Sequence, residues 1–449
     1  MLTEVSDTEK SGLCVRVLVE GAWGFAAVGE TSNAAAREAV RRAIEQATLA
    51  KIVAQHPSEL SAPATGSGEW RTPLEIDPFG LPLSHVTESV RSASDRAGAD
   101  DRIVAQTANA QAVRREQLFQ STEDVRQFQQ RDVVGGGGEV TAVGNGDVQR
   151  RSVPSCFDGN FGTGGWERFE AMALGEKLSR AREEALILLA AERCPSGQMD
   201  VVLGSAQLAL QIHESIGHPA EADRYYGWED AYAGGAYLSP ADIGTRRIGS
   251  EHVTLHADAT EPGGLGTVGW DDEGVAARRW PLVERGVVVG ALGSRELDTR
   301  LPNAARTPSA GAMRSAGFNR QPLVRMVNVS LEPGSVTLQS LIGGVERGVF
   351  MDVNRSWSID DRRLQFQFGC EIGREIVNGE LGQWVKNPTY AGVTPQFWSS
   401  CDGIADRESY ALWGFLNCGK GQPGQSMMTS HGAAPARFRG VDVGVGYVD

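Results

Sequence analysis

The sequence predicts an α+β fold: an N-terminal α/β layer domain over residues 1–195, then a β-rich C-terminal domain over 196–449. Three observations lead there. At 449 residues the chain exceeds one ordinary core, so two domains are expected. Helical periodicity is concentrated in the first half, whereas short apolar alternations dominate the second. Glycine, at 55 residues, exceeds the usual share of about 7% and falls largely at hairpin positions.

In chain order, residues 14–29 read as a hairpin, and residues 32–55 as an amphipathic helix with Ala, Val and Ile on its inner face. Residues 57–80 carry several Pro and Gly and are expected to be a loop. Residues 85–97 and 176–192 read as helices, and 117–153 as strands. Gly144-Asn145-Gly146, Glu284-Arg285-Gly286-Val287 and Val377-Asn378-Gly379-Glu380 read as tight turns. Gly135 to Gly138 lack the following Lys-Ser/Thr of a phosphate loop, so a bulged strand is predicted. Cys194-Pro195-Ser196-Gly197 marks the domain boundary. Beyond it a helix-like run spans 205–216. Short strands follow at 253–257, 287–292, 324–331 and 363–372, with one inserted helix at 338–348.

Composition narrows the function. Charged residues make up 22% and hydrophobic ones 41%, ordinary globular values. Net charge is −14 without a long basic run, which argues against an electrostatic grip on DNA or RNA. Cys14, Cys156, Cys194, Cys370, Cys401 and Cys418 are scattered with no C-x-x-C pair, the pattern of reduced thiols. The start, Met-Leu-Thr-Glu-Val-Ser-Asp, is acidic and polar, unlike a signal peptide. No apolar stretch approaches eighteen residues, so no conventional membrane span is predicted. The expected location is the cytoplasm.

One segment carries chemistry: His213-Glu214-Ser215-Ile216-Gly217-His218. Two neutral imidazoles can hold Zn²⁺, and a glutamate beside them can take a proton from a water. The familiar zinc-protease spacing is H-E-x-x-H, whereas here the histidines are five apart. On an ideal α-helix five residues leave the two rings about 140° apart, unable to share one ion. The site therefore requires a π-type turn or an end to regular helix between them. Gly217 is permissive, and Pro219 pushes His218 away from α geometry, which favours the second route. From the residues alone, the third ligand is open among Cys418, His431 and Glu221, with Cys401-Asp402 a further competitor.

The run Val201 to Arg224, with H-E-x-x-x-H followed by Glu221 and Asp223, resembles the TldD/PmbA family of zinc metallopeptidases. Further matches keep that family's order: Val15 to Ala26 as its N-terminal hairpin, Asp271-Asp-Glu-Gly274, Arg325-Met-Val-Asn328, and Asn417 to Gln425 as its C-terminal cysteine loop. The resemblance covers nearly the whole chain. The family divides into metal-carrying TldD-type subunits and PmbA-type (TldE-type) subunits without the histidine motif, and His213, Glu214 and His218 place this chain with the TldD type. The resemblance implies Zn²⁺ held by His213, His218 and Cys418, with Glu214 as general base acting on a metal-activated water. Glu221 and Asp223 are then expected to orient a histidine or to pair with Arg224. It also implies hydrolysis of unfolded or extended peptides, and a PmbA/TldE-type paralogue as heterodimeric partner, or a homodimer. Family members usually carry a strand and helix before the first hairpin, and this chain is expected to lack them. The alternative, from a different class, is a non-catalytic binding or regulatory subunit of a protease-like complex.

Overall fold

In a computed structural model, the described residues are 2–444 apart from 55, 62–65, 97, 99, 303–307, 309 and 422. The fold is α+β with a β-rich C-terminal region. The chain opens with the antiparallel hairpin Leu13–Val19 and Ala22–Val28. The helix Asn33–Val53 follows, capped by the Ser32 hydroxyl accepting from the Ala35 N–H. Residue 55, the predicted end of that helix, lies outside the described residues. Its inner face is alanine alone: Ala39, Ala43 and Ala47 are buried. The backbones approach so closely that a Cβ on Gly24 would meet the Ala43 carbonyl oxygen at 1.9 Å. Val40, Ile44, Ile52 and Val53, expected to face inward, instead lie exposed.

The predicted loop over 57–80 contains a short strand, Gly68–Arg71, and a 3₁₀ turn, Pro78–Gly80. Two longer helices follow, Leu83–Arg96 and Leu174–Ala190, the second preceded by the short helix Glu167–Ala171. Position 97, predicted to close the first of them, is outside the described residues. Between the two helices runs a long hairpin, Ile103–Ser121 with Val125–Gly144, its first strand starting well before residue 117. Asp147–Val153, Asn160–Thr163 and the parallel Gly68–Arg71 complete the sheet. No bulge interrupts Gly135 to Gly138, which pair in continuous register with Gln111 to Ala108. Glycine stands there because of contact: a Cβ on Gly135 would meet the Asn160 carbonyl at 2.3 Å, and one on Gly138 the Leu178 methyl at 2.8 Å. All three predicted tight turns form, each with a residue at positive φ followed by a glycine at positive φ (55° and 73° at Asn145-Gly146).

Among the described residues, the C-terminal strands make two main sheets. One runs Val287–Val288, Arg279–Glu284, Leu255–Asp258, Asn328–Leu331, Gln425–Ala433, Ala411–Lys420. The other is built around Gly197–Leu203, flanked by the parallel Arg347–Ile359 and the antiparallel Ala436–Val443. The helix Ser205–Ile212 packs against Arg347–Ile359 of one sheet and Gln425–Ala433 of the other. The helix is buried from Ala206 to Ile212, and its two polar side chains, Gln207 and Gln211, are hydrogen-bonded to the Tyr390 hydroxyl, so it is held firmly between the sheets.

Candidate metal centre

Strand Gly197–Leu203 delivers the chain to Gly204, the N-cap of that helix, where a Cβ would strike the Asp352 carboxyl at 2.2 Å. Asp352 Oδ1 accepts the Gln207 N–H at 3.0 Å, so the helix start is pinned to the neighbouring strand. At His213 the helix widens. Residues His213–Gly217 form a π turn, in which the His218 N–H donates to the His213 carbonyl five residues back. A 3₁₀ turn, His218–Ala220, follows at once. The five-residue spacing thus brings the two imidazoles to 4.7 Å between ring centroids, at 81°. The route differs from the expected one in a detail. Gly217 (φ −60°) and His218 (φ −63°, ψ −44°) both keep right-handed helical angles, so Pro219 does not displace His218. Gly217 is required instead by contact, since a Cβ there would meet Met326 Sδ at 2.1 Å.

Cys418 arrives from the other sheet. It lies on strand Ala411–Lys420 rather than in a loop, just beyond a register shift between Phe415 and Cys418. Bulges of this kind re-aim side chains. Its Sγ stands 3.7 Å from His218 Nε2. His213, His218 and Cys418 each offer one ligand atom, all within 4.8 Å of one another, and all three residues are buried. Burial alone raises the Cys418 thiol, but His218 and Arg325 outweigh it, so its pKa falls below the ordinary value and the thiolate is favoured.

The other nitrogens of both rings are engaged. His431 Nδ1 lies 2.9 Å from the Val329 carbonyl, and His431 Nε2 lies 2.8 Å from His213 Nδ1. In the consistent proton arrangement His431 donates to the carbonyl and accepts from His213, which leaves His213 Nε2 free to ligate. Burial drives the His213 pKa down to about 4, so its ring is neutral as ligation needs. His218 Nδ1 donates to Glu221 Oε2 at 3.0 Å. That same oxygen accepts from Arg224 Nε at 2.8 Å and stands 3.3 Å from Lys420 Nζ. Glu221 therefore orients a histidine and pairs with Arg224. Asp223 pairs instead with the buried Lys420, at 2.8 Å. Of the competing ligands, His431 backs His213, while Cys401 sits on strand Cys401–Ile404 with its thiol toward the Gly403 carbonyl.

Glu214, buried next to His213, accepts from Arg363 Nη1 at 2.5 Å. Arg363 lies at the tip of the hairpin Arg347–Ile359/Gln365–Val377 with φ 62°, a left-handed conformation uncommon for arginine. Its carbonyl accepts from Thr394 and its N–H donates to the Asp360 carbonyl, which hold that backbone in place. Sequence reasoning passed over both Arg363 and His431 in these roles. Each meets its partner across a separation of 149 and 218 residues respectively, which no local pattern marks.

Two imidazoles and a cysteine sulfur, buried and close together, suit zinc, whose catalytic sites take three protein ligands of these types. Comparisons with known proteins point the same way. Residues 196–444 match the PmbA/TldA metallopeptidase C-terminal domain, and residues 2–47 match PmbA/TldA metallopeptidase domain 1. A metalloprotease of Methanothermobacter thermautotrophicus is 31% identical over 444 residues, covering 99% of this chain and 91% of that protein. A zinc metalloprotease TldD homolog of Saccharolobus solfataricus is 25% identical over 281 residues, covering 62% and 59%. The solved structure of TldE from Thermococcus kodakarensis shares the fold with a TM-score of 0.67 at 17% identity, over 95% of this chain and 88% of that one. With one family spanning its two-sheet region and a relative aligned along nearly its whole length, the chain belongs to the PmbA/TldD metallopeptidase family.

Proposed function

We propose that this chain is a TldD-type zinc peptidase that hydrolyses unfolded or extended peptides, with zinc on His213, His218 and Cys418. The observation that carries the proposal is the convergence of those three donors beside a buried glutamate. The chemistry that zinc supplies at such a donor set is Lewis-acid polarisation of a water and of the scissile carbonyl. Glu214 accepts the water proton and passes it to the leaving amine. Arg363 fixes where the Glu214 carboxylate points, while His431 and Glu221 fix the tautomers of His213 and His218. Cys418 stands on an outermost strand of its sheet. An extended peptide pairing along such an edge gains main-chain hydrogen bonds with little demand on its sequence, which suits an unfolded substrate.

The partner in this reading is a PmbA/TldE-type paralogue or a second copy of the chain. Exposed Val40, Ile44, Ile52 and Val53 on the first helix supply apolar surface of the kind a partner covers. Six free cysteines support a reducing, cytoplasmic location, and residue 195 remains the proposed division between domains. The test is Glu214→Gln with an unstructured peptide mixture. It should retain metal and lose cleavage by roughly 10²–10⁴-fold. Full activity in that variant would remove Glu214 from the base role.

A further inference from the structure

Between the long N-terminal hairpin and the C-terminal strands lies a narrow cleft with about 30 Å³ of room for water, lined in part by Arg115, Arg131, Arg314, Asp271, Asp272 and Met427. Arg115 and Arg131 are register partners on the hairpin, so their side chains share one face. Like charges placed directly opposite repel, and a guanidinium does not shed its proton to escape.

Counter-charge in the cleft is scarce. Asp272 stands 3.8 Å from Arg115 and is otherwise occupied by Ser315 and Gln117. Asp271 accepts backbone N–H groups from Glu273, Val275 and Met313, and burial together with the Glu273 carboxylate pushes it up to about 8. Both its oxygens are thus committed to backbone donors rather than to the guanidiniums of the cleft. Arg314 spends its donors on the carbonyls of Met326, Met428 and Leu265. Arg131 is the least satisfied: its hydrogen bond runs to the Leu265 carbonyl at 3.3 Å, and among the described residues no carboxylate forms an ion pair with it. Burial, and then Arg115, pull its guanidinium down to about 10.

The cleft adjoins the metal centre. Met427, in its wall, is the register partner of Cys418. Directly opposed residues hold their Cβ atoms about 5 Å apart on the same face. Arg325, close enough to Arg314 to repel it, donates to the Cys418 carbonyl. A run of cations thus leads from the cleft to the ligand strand.

We propose that Arg131, in the positive field of its neighbours Arg115 and Arg314, forms a subsite for a carboxylate of the peptide substrate, either its C-terminus or an acidic side chain. The subsite rests on the peptide reading of the metal centre. A planar guanidinium meets a carboxylate through two parallel hydrogen bonds, and of the three Arg131 is the one with donors to give: Arg314 spends its own on carbonyls and Arg115 donates to the Ser315 carbonyl and hydroxyl. Binding of labelled unstructured peptides to the full chain carrying Glu214→Gln, followed by fluorescence anisotropy, tests this without requiring cleavage. Two matched pairs are used: free C-terminal acid against C-terminal amide, and an internal Glu against Gln. In at least one pair the acid should bind roughly tenfold tighter or more, and the pair that separates names the source of the carboxylate. Adding Arg131→Gln should bring that ratio near one while leaving the amide's affinity unchanged. Equal affinity within both pairs, or no binding by any of the four, overturns the subsite whatever Arg131→Gln does to folding. An unchanged ratio in folded Arg131→Gln overturns it too. Failure of the wild-type chain to cleave any peptide would count against the metal-centre reading and leave the binding ratio standing.

Discussion

At the scale of single residues, the proposed chemistry turns on Glu214 and Arg363. A carboxylate alone beside two metal-binding rings can swing between orientations, whereas one hydrogen-bonded by a guanidinium at 2.5 Å points one way. Arg363→Gln should therefore lower kcat with zinc content unchanged. A charged hydrogen bond is worth about 1.5–3 kcal/mol, so the expected loss is roughly 10–100-fold. Loss of zinc in step with activity would instead make Arg363 a structural support for the pocket. The histidines and the glutamate of this site were legible in the sequence because they sit within six consecutive positions. Glu221 was legible too, lying three residues after His218. His431 was visible only as a rival ligand, because its pairing with His213 depends on how two distant elements pack.

At the scale of elements, the argument turns on the widened helix end. Histidines five apart cannot share an ion on an α-helix, and the structure meets that demand with the π turn His213–Gly217 followed directly by a 3₁₀ turn. The need for irregularity was readable from spacing alone. Its cause was not, because glycine at 217 answers to Met326 across the core rather than to backbone freedom. Gly217→Ala should cost about 1–3 kcal/mol of stability through overpacking and weaken zinc retention. Chemical denaturation and metal content of the variant check this, and trimming the opposing side chain with Met326→Ala should recover part of both. An unaltered denaturation midpoint for Gly217→Ala alone would show that Met326 simply moves aside. The run Gly135 to Gly138 teaches the same lesson. Four glycines suggested a bulge, yet the register is continuous and the glycines make room for Asn160 and Leu178. Two-residue turns such as Asn145-Gly146 were readable because their chemistry is local.

Over the whole molecule, the N-terminal sheet is tied to the C-terminal part through buried charge. Arg151 on strand Asp147–Val153 donates to Glu184 of helix Leu174–Ala190 at 2.9 Å and to Glu371 of strand Gln365–Val377 at 2.6 Å. Glu371 also accepts from the Ser152 N–H and hydroxyl. Arg151→Ala would leave Glu184 with Arg180 and Glu371 with Ser152 and Arg150, and losing the cation they share should destabilise the protein by about 1.5–3 kcal/mol, read as a lower urea midpoint. A midpoint within error of wild type would mean that the two parts hold together by other contacts. The broad α+β plan was predictable from periodicity, whereas this long-range network was not.

The measurement that bears most directly on the centre is metal analysis of the purified protein beside Cys418→Ser. The donor set predicts about one zinc per wild-type chain, largely lost when the third ligand is removed. A wild-type protein that binds no zinc, or a Cys418→Ser variant that keeps it undiminished, would contradict the assignment.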